Sequence, residues 1–101
     1  MVVRVVFEDD DLRRLAEDPD FQPKRWSRDV VRAYRKKVQL LDAARDERDL
    51  RRMKSLRLEK LEGDRAGTSS IRLNGQYRLV LNFATDGDGR TAILLELVDY
   101  H

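Results

Sequence analysis

The stretch SSIRLNGQYRL, which runs from Ser69 to Leu79, decides the fold of this chain. Apolar and polar side chains alternate on both sides of a central Asn-Gly pair, which is typical of a β-hairpin. A two-residue loop would place Ile71 on the same face as Arg78. A loop that is one residue longer pairs Ile71 with Leu79 and Arg72 with Arg78. Because a one-residue slip moves every side chain to the opposite face, burial of the apolar set favours the longer loop.

In this register two arginines lie directly opposite each other on one face of the hairpin. Like charges at such a cross-strand position repel each other. The planar guanidinium group can bind two oxygens of a phosphate, so Arg72 and Arg78 together could hold an anion. The alternative is a solvated polar face whose arginine stems cover the sheet. The hairpin alone leaves both interpretations open.

The pattern of the whole chain predicts an α+β fold in one domain over residues 1–101. The predicted elements, in chain order, are a strand over 2–7, helices over 8–17, 28–48 and 49–54, an irregular stretch over 55–67, and strands over 69–73, 77–83 and 91–98. Ser27 is a suitable N-cap for the second helix. This order predicts an N-terminal strand and two to three helices that pack on a small antiparallel sheet.

Composition excludes several classes of function. The 21 basic residues nearly balance the 19 acidic ones, so any function in binding depends on how charge is distributed. The absence of cysteine excludes disulfides and thiolate chemistry, and a single histidine argues against zinc. No apolar run approaches the roughly 20 residues of a membrane span. We therefore expect a cytoplasmic protein without a membrane segment, metal or other cofactor.

The last residues of the chain should lie close to the hairpin arginines. The final strand is expected to run antiparallel to the strand that begins at Tyr77, so its end must meet the start of that strand. Asp99, Tyr100 and His101 are then placed beside Arg78. A single histidine at this position is either a frayed end or a group that transfers protons, and the sequence pattern leaves both interpretations open.

These groups suit metal-free cleavage of RNA, in which the ribose 2′-OH attacks the adjacent phosphate. That reaction requires the removal of one proton, the supply of another and the stabilisation of developing negative charge. Arginines can stabilise the charge, and histidine, tyrosine or carboxylate groups can transfer the protons.

Three segments resemble the HigB toxins of the RelE/ParE superfamily, which belong to bacterial type II toxin–antitoxin systems. They are LEGDRAG at residues 61–67, SIRLNGQYR at residues 70–78 and the terminal DYH at residues 99–101. The resemblance implies the RelE-like fold and a ribosome-dependent mRNA endonuclease that acts on messenger in the ribosomal A site. It also implies a co-encoded HigA-like antitoxin with a helix-turn-helix domain.

The resemblance assigns roles to individual residues. Arg78 matches the arginine that contacts the scissile phosphate, and Arg72 is expected to share that phosphate. Tyr100 and His101 match the terminal pair associated with base stacking and proton transfer. The residues expected to bind RNA around them are Arg57, Lys60, Arg65 and Asp99. Glu62 stands where the family commonly has a functional lysine, and its carboxylate could instead serve as a general base.

Two further features allow more than one interpretation. Cations recur on the second helix and after it, and they either form a solvated surface or contact the backbone of ribosomal RNA. These cations are Arg28, Arg32, Arg35 and Lys36, followed by Arg51, Arg52, Lys54 and Arg57. The alternatives to RNA cleavage are a non-nucleolytic toxin such as a ParE-like gyrase inhibitor, and a partner-binding domain without catalysis.

Overall fold

The computed structural model describes residues 3–63, 66–86 and 89–99. Within these ranges three helices pack on a five-stranded sheet, which confirms the predicted α+β class. The elements are β1 (Arg4–Phe7), α1 (Asp10–Glu17), α2 (Arg28–Ala43), α3 (Glu47–Arg52), a 3₁₀ turn (Lys54–Leu56), β2 (Glu59–Lys60), β3 (Ser69–Arg72), β4 (Tyr77–Asp86) and β5 (Gly89–Asp99). Among the described residues, no helix has the length and apolar character that crossing a bilayer requires.

The sheet contains the predicted antiparallel strands, and the N-terminal strand joins them in parallel, so the sheet as a whole is mixed. The strand order is β1-β5-β4-β3-β2, and β1 runs parallel to its neighbour β5 while the other pairs are antiparallel. A parallel pair needs a long crossover between its strands, and the helical segment that follows β1 begins that crossover. The short N-terminal strand therefore lies at the edge of the sheet that is remote from the β3–β4 hairpin.

The second helix ends earlier than its periodicity predicts. It stops at Ala43 rather than near residue 48, because Ala44 adopts an extended conformation. The carbonyl of Ala44 then accepts a hydrogen bond from the backbone N–H of Val3 at 2.9 Å. Asp46 caps a new helix by accepting from the backbone N–H of Asp49 at 3.2 Å. The third helix is thus present, although it begins and ends two residues before the predicted bounds of 49–54.

The stretch over residues 55–67, predicted to be irregular, contains a short strand. β2 pairs antiparallel with β3 through the partners Glu59 with Ser70 and Lys60 with Ser69. Two residues are too few to produce a recognisable alternation in the sequence. This strand matters for the site, because it places neighbouring residues on opposite faces of the sheet.

The hairpin has the predicted register. Arg72 pairs with Arg78 and Ile71 pairs with Leu79, and the backbone N–H of Leu73 donates to the carbonyl of Tyr77 at 3.0 Å. Ile71 and Leu79 are fully buried in the core between sheet and helices. The longer loop is confirmed, and burial of the apolar face is the reason for it.

Two adjacent residues of α2 hold α1 against the rest of the protein. The buried Tyr34 hydroxyl donates to the carbonyl of Leu12 at 2.8 Å, and burial, with a contribution from the negative charge of Asp9, raises the pKa of Tyr34. The half-buried Arg35 donates through Nε to the carbonyl of Leu15 at 2.8 Å. Its Nη2 also donates to the carbonyls of Asp18 and Phe21, at 3.1 Å each. A cation that bonds carbonyls at and beyond the C-terminus of a helix stabilises that end.

Arg35→Ala should therefore lower the free energy of unfolding by about 1–3 kcal/mol, because hydrogen bonds from a charged donor are lost at a half-buried position. Arg32→Ala is the matched control, since it removes an exposed arginine from the same helix and should change stability by less than about 0.5 kcal/mol. Urea unfolding followed by circular dichroism measures both. Equal stabilities for the two variants would contradict the role of Arg35.

Candidate active site

Three arginines surround one surface pocket at the end of the β3–β4 hairpin. The pocket has a volume of about 320 Å³ and is lined by Arg57, Arg72 and Arg78 together with the loop residues Asn74, Gly75 and Gln76. The cross-strand pairing of Arg72 with Arg78 brings these two guanidinium groups to the same face of the sheet. Such a concentration of positive charge suits an anion with several oxygens, such as a phosphate.

Arg78 is largely enclosed by the protein, with a side chain that is 12% exposed. Its Nε donates to the hydroxyl of Ser70 at 2.8 Å, and its Nη2 donates to the carbonyl of Arg57 at 2.6 Å. The carboxylate of Glu59 lies 3.8 Å from Nη2 and is 60% exposed. Arg78 is therefore held by neutral groups on the protein side and has a carboxylate beside it at the surface.

Arg72 is held by the loop that it precedes. Its Nε donates to the carbonyl of Asn74 at 3.1 Å. The side-chain oxygen of Asn74 accepts from the backbone N–H groups of Gln76 and Tyr77, at 2.9 and 2.8 Å. These bonds are those of an Asx turn, which explains why an Asn-Gly sequence here forms a longer loop. The turn and the arginine thus stabilise each other's position.

The electrostatic surroundings of the pocket include a residue that sequence reasoning missed. Partial burial lowers the pKa of the Lys37 ammonium, and the positive charges of Lys36 and Arg72 lower it further. α2 thus adds positive charge near the arginine pocket.

Among the described residues, no group of three His, Cys, Asp or Glu side chains could hold a metal ion.

The end of β5 lies beside the pocket, as the antiparallel pairing predicts. Asp99 is the cross-strand partner of Tyr77, and its carboxylate accepts a hydrogen bond from Nε2 of Gln76 at 2.9 Å. Since Gln76 also lines the pocket, Asp99 is connected to it through one side chain. Three predicted site residues, Arg65, Tyr100 and His101, lie outside the described residues.

Two of the predicted residues that the structure describes, Lys60 and Glu62, form no hydrogen bond or ion pair with Arg72 or Arg78. Lys60 pairs with Ser69 and lines a different cavity of about 380 Å³, together with Phe83, Arg90 and others. Glu62 is exposed in the loop that follows β2. The carboxylate that the structure places beside Arg78 is instead that of Glu59. The pairing of β2 with β3 explains this, and no sequence signal revealed a strand of two residues.

The predicted basic face of α2 is not uniform. Arg35 is half-buried and bonds the backbone carbonyls of residues 15, 18 and 21, so its side chain has a structural role. Arg28, Arg32 and Lys36 are exposed and recur at intervals of four residues along the helix. Residues at this spacing lie on one side of an α-helix. The cationic stripe therefore consists of these three residues.

Comparison with known proteins identifies the class to which this fold and site belong. A family model of RelE-like toxins, described as the HigB toxin of type II toxin–antitoxin systems, matches residues 5–101. Toxin HigB-1 of Vibrio cholerae serotype O1 is 39% identical over 77 residues, which cover 76% of this chain and 80% of that protein. The chain belongs to the HigB-like family of RelE-like toxins, and toxins of this family are generally endoribonucleases.

Solved structures agree on the fold. A YoeB/ParE toxin from Agrobacterium tumefaciens superposes with a TM-score of 0.57 at 17% identity and covers 98% of this chain and 100% of its own. A YoeB-YefM complex from Staphylococcus aureus gives a TM-score of 0.50 at 16% identity, with coverage of 100% and 99%. The RelE-like fold predicted from the three sequence segments is thereby confirmed.

Titration with inorganic phosphate should locate the anion site. In a heteronuclear NMR spectrum we expect phosphate to shift the backbone signals of residues around Arg57, Arg72 and Arg78. Arg72→Ala should weaken this binding about ten-fold, because one charged hydrogen-bond donor is removed. Arg4→Ala removes an exposed arginine from the far edge of the sheet and should leave the affinity unchanged. Shifts confined to the cavity of Lys60 and Arg90 would contradict the assignment.

Proposed function

We propose that this chain is a ribosome-dependent mRNA endonuclease that cleaves messenger in the ribosomal A site and thereby inhibits translation. The observation that supports this most directly is the pocket between Arg57, Arg72 and Arg78, whose size and charge suit a phosphodiester. Membership of the HigB-like family supports the same reaction class. The proposal implies that the protein acts in the cytoplasm, where translating ribosomes are found.

In the proposed reaction the 2′-oxygen of a ribose attacks the adjacent phosphorus, and the bond from phosphorus to the 5′-oxygen breaks. The products are a 2′,3′-cyclic phosphate and a free 5′-hydroxyl. Negative charge increases on the two non-bridging oxygens as the new bond forms. Arg72 and Arg78 are held in position before the substrate arrives, and preorganised donors of this kind stabilise developing charge more than mobile ones do. We assign the scissile phosphate to these two residues.

The proton of the 2′-hydroxyl needs an acceptor near the phosphate. Among the described residues, Glu59 is the carboxylate nearest the Arg78 guanidinium, at 3.8 Å, and its exposure leaves it accessible to substrate. Glu62, which the sequence offered as a general base, is one of the exposed residues of the loop after β2. We therefore propose Glu59 as the proton acceptor. Tyr100 and His101 remain proposed as the stacking group and the proton donor to the 5′-oxygen.

The proposed partners are the ribosome and an antitoxin. The exposed stripe of Arg28, Arg32 and Lys36 suits the phosphate backbone of ribosomal RNA, which is recognised largely by charge. Family membership places the chain in a toxin–antitoxin system, and the Staphylococcus aureus relative was solved as a YoeB-YefM complex. We propose a HigA-like antitoxin with a helix-turn-helix domain as the neutralising partner of this chain.

Arg78→Ala should reduce cleavage of translated messenger by about 100-fold or more, as expected for the loss of a donor to a developing oxyanion. Primer extension on a purified translation system measures the cleavage, and Arg4→Ala serves as the matched arginine control with unchanged cleavage. Cleavage by Arg78→Ala at the wild-type rate would contradict the proposal. Absence of cleavage by the wild-type protein, with inhibition of DNA supercoiling by gyrase, would favour the ParE-like alternative.

The two glutamates can be separated by isosteric substitution. Glu59→Gln should slow cleavage by about 10²- to 10⁴-fold, since a general base is removed without a change of shape. Glu62→Gln should have little effect, because Glu59 and not Glu62 forms the ion pair with Arg78. The same primer-extension assay measures both variants. If Glu62→Gln slowed cleavage more than Glu59→Gln did, the general base would be Glu62 and not Glu59.

Neutralising the α2 stripe with Arg28→Gln, Arg32→Gln and Lys36→Gln together should weaken ribosome binding without changing the cleavage position. The slope of log affinity against log salt should become shallower by about one for each phosphate that the stripe neutralises in the wild-type complex. Sedimentation with ribosomes at several salt concentrations measures this slope, and Arg4→Gln is the single-charge control. An unchanged slope in the triple variant would exclude binding through the stripe.

A further inference from the structure

The guanidinium group of Arg78 is bonded on two sides, by a side-chain hydroxyl and by a backbone carbonyl of the protein. Its Nε donates to Oγ of Ser70 at 2.8 Å, and its Nη2 donates to the carbonyl of Arg57 at 2.6 Å. A guanidinium is planar, so bonds to two of its nitrogens determine both where it lies and how its plane is oriented. Arg78 therefore does not depend on the substrate to order it.

Ser70 is a polar residue at a buried position of the sheet. It is fully buried, and it pairs across the hairpin with Val80, which is 1% exposed. An apolar side chain could fill such a buried position at no cost in hydrogen bonding, whereas a buried hydroxyl needs a hydrogen-bond partner. The hydroxyl of Ser70 accepts from Arg78. The adjacent Ser69 lies on the opposite face of β3, as expected for consecutive strand residues, and lines the other cavity.

The second acceptor depends on an unfavourable backbone conformation. Arg57 has a φ of 47° and is the only residue other than glycine with positive φ in the part of the chain that the structure describes. This left-handed conformation is uncommon for a residue with a side chain. It follows the 3₁₀ turn that ends at Leu56, where the carbonyl of Arg57 reaches Nη2 of Arg78. The chain thus tolerates local strain at the point where it contacts the arginine.

We propose that Ser70 is a positioning residue that orients the guanidinium of Arg78 toward the scissile phosphate, with the Arg57 carbonyl as its second support. This inference rests on the proposed endonuclease function for its effect on the reaction. Ser70 does not contact the substrate. It removes the rotational freedom of Arg78 before binding, so that the guanidinium is already oriented when negative charge develops on the phosphate.

The test compares Ser70→Ala with Ser69→Ala in single-turnover and steady-state cleavage of ribosome-bound messenger. Ser70→Ala should lower kcat about ten-fold while KM changes less than about two-fold, because it removes a charged hydrogen bond that orients the transition-state donor. Ser69→Ala removes a hydroxyl one residue away on the other face and should keep the wild-type kcat. Ser70→Thr restores a hydroxyl and should recover most of the rate.

A readout that does not depend on cleavage distinguishes this inference from the proposed function. In the free wild-type protein, the Hε–Nε NMR signal of Arg78 should be visible and protected from solvent exchange. Ser70→Ala should abolish that protection, and Ser69→Ala should preserve it. Protection in a wild-type protein that fails to cleave messenger would support the placement of Ser70 and overturn only the function.

Two results would overturn the positioning role itself. The first is a wild-type kcat in Ser70→Ala together with loss of the Arg78 Nε signal. The second is a failure of Ser70→Thr to recover either the rate or the signal while its melting temperature equals that of the wild type. Melting temperatures of all three variants separate both results from simple unfolding.

Discussion

The pairing of Arg72 with Arg78 across the β3–β4 hairpin is the constraint on which the candidate site depends. Two guanidinium groups at opposed positions repel each other, and the structure counters this with local acceptors rather than with separation. Arg72 bonds the loop carbonyl of Asn74, and Arg78 bonds Ser70 and the carbonyl of Arg57. These acceptors hold the side chains but are neutral. Among the described residues, the Glu59 carboxylate lies 3.8 Å from Nη2 of Arg78, so the three arginines of the pocket keep an excess of positive charge. An anion between the arginines would lower the free energy of the site.

The alternation of strand residues divides the protein into two functional surfaces. Glu59 and Ser70 are cross-strand partners on the face of the arginines, whereas their neighbours Lys60 and Ser69 pair on the opposite face. A shift of either strand by one residue would exchange the two sets and place a lysine beside Arg78. The chemistry of the pocket thus depends on the β2–β3 register and on the β3–β4 register, and burial of Ile71 and Leu79 in the core maintains the latter. Packing on one face of the sheet in this way determines which charges meet on the other.

The sequence was sufficient where burial imposes a single solution. The hairpin register and the three-residue loop follow from placing large apolar side chains on one face, and the approach of Asp99 to Tyr77 follows from the antiparallel course of the final strand. The sequence was insufficient where a very short strand or a contact between distant parts of the chain determines the structure. β2 has only two residues, and the early end of α2 reflects a bond from Val3 to Ala44 that no local pattern encodes. For the same reason the nearness of Glu59 to Arg78 appears only in the structure.

Charge in the sequence also proved ambiguous without tertiary contacts. Arg35 shares the helical periodicity of its basic neighbours, yet it bonds three backbone carbonyls near the end of α1. Lys37 lacked any sequence signal, and its connection to the site is visible only through the mutual influence of its charge and that of Arg72. The contacts that a cation makes in the folded protein, rather than its residue type, distinguish a structural cation from one that is available to a substrate.

We propose that the arginine pocket receives the scissile phosphate. The most direct measurement is a cryo-electron microscopy structure of this chain on a ribosome whose A-site messenger has 2′-O-methyl groups, which prevent cleavage. We expect one phosphate within hydrogen-bond distance, about 3 Å, of both Arg72 and Arg78, with the Arg78 Nε still bonded to Ser70. A messenger backbone that passes outside this pocket, or along the cavity of Lys60 and Arg90, would contradict it.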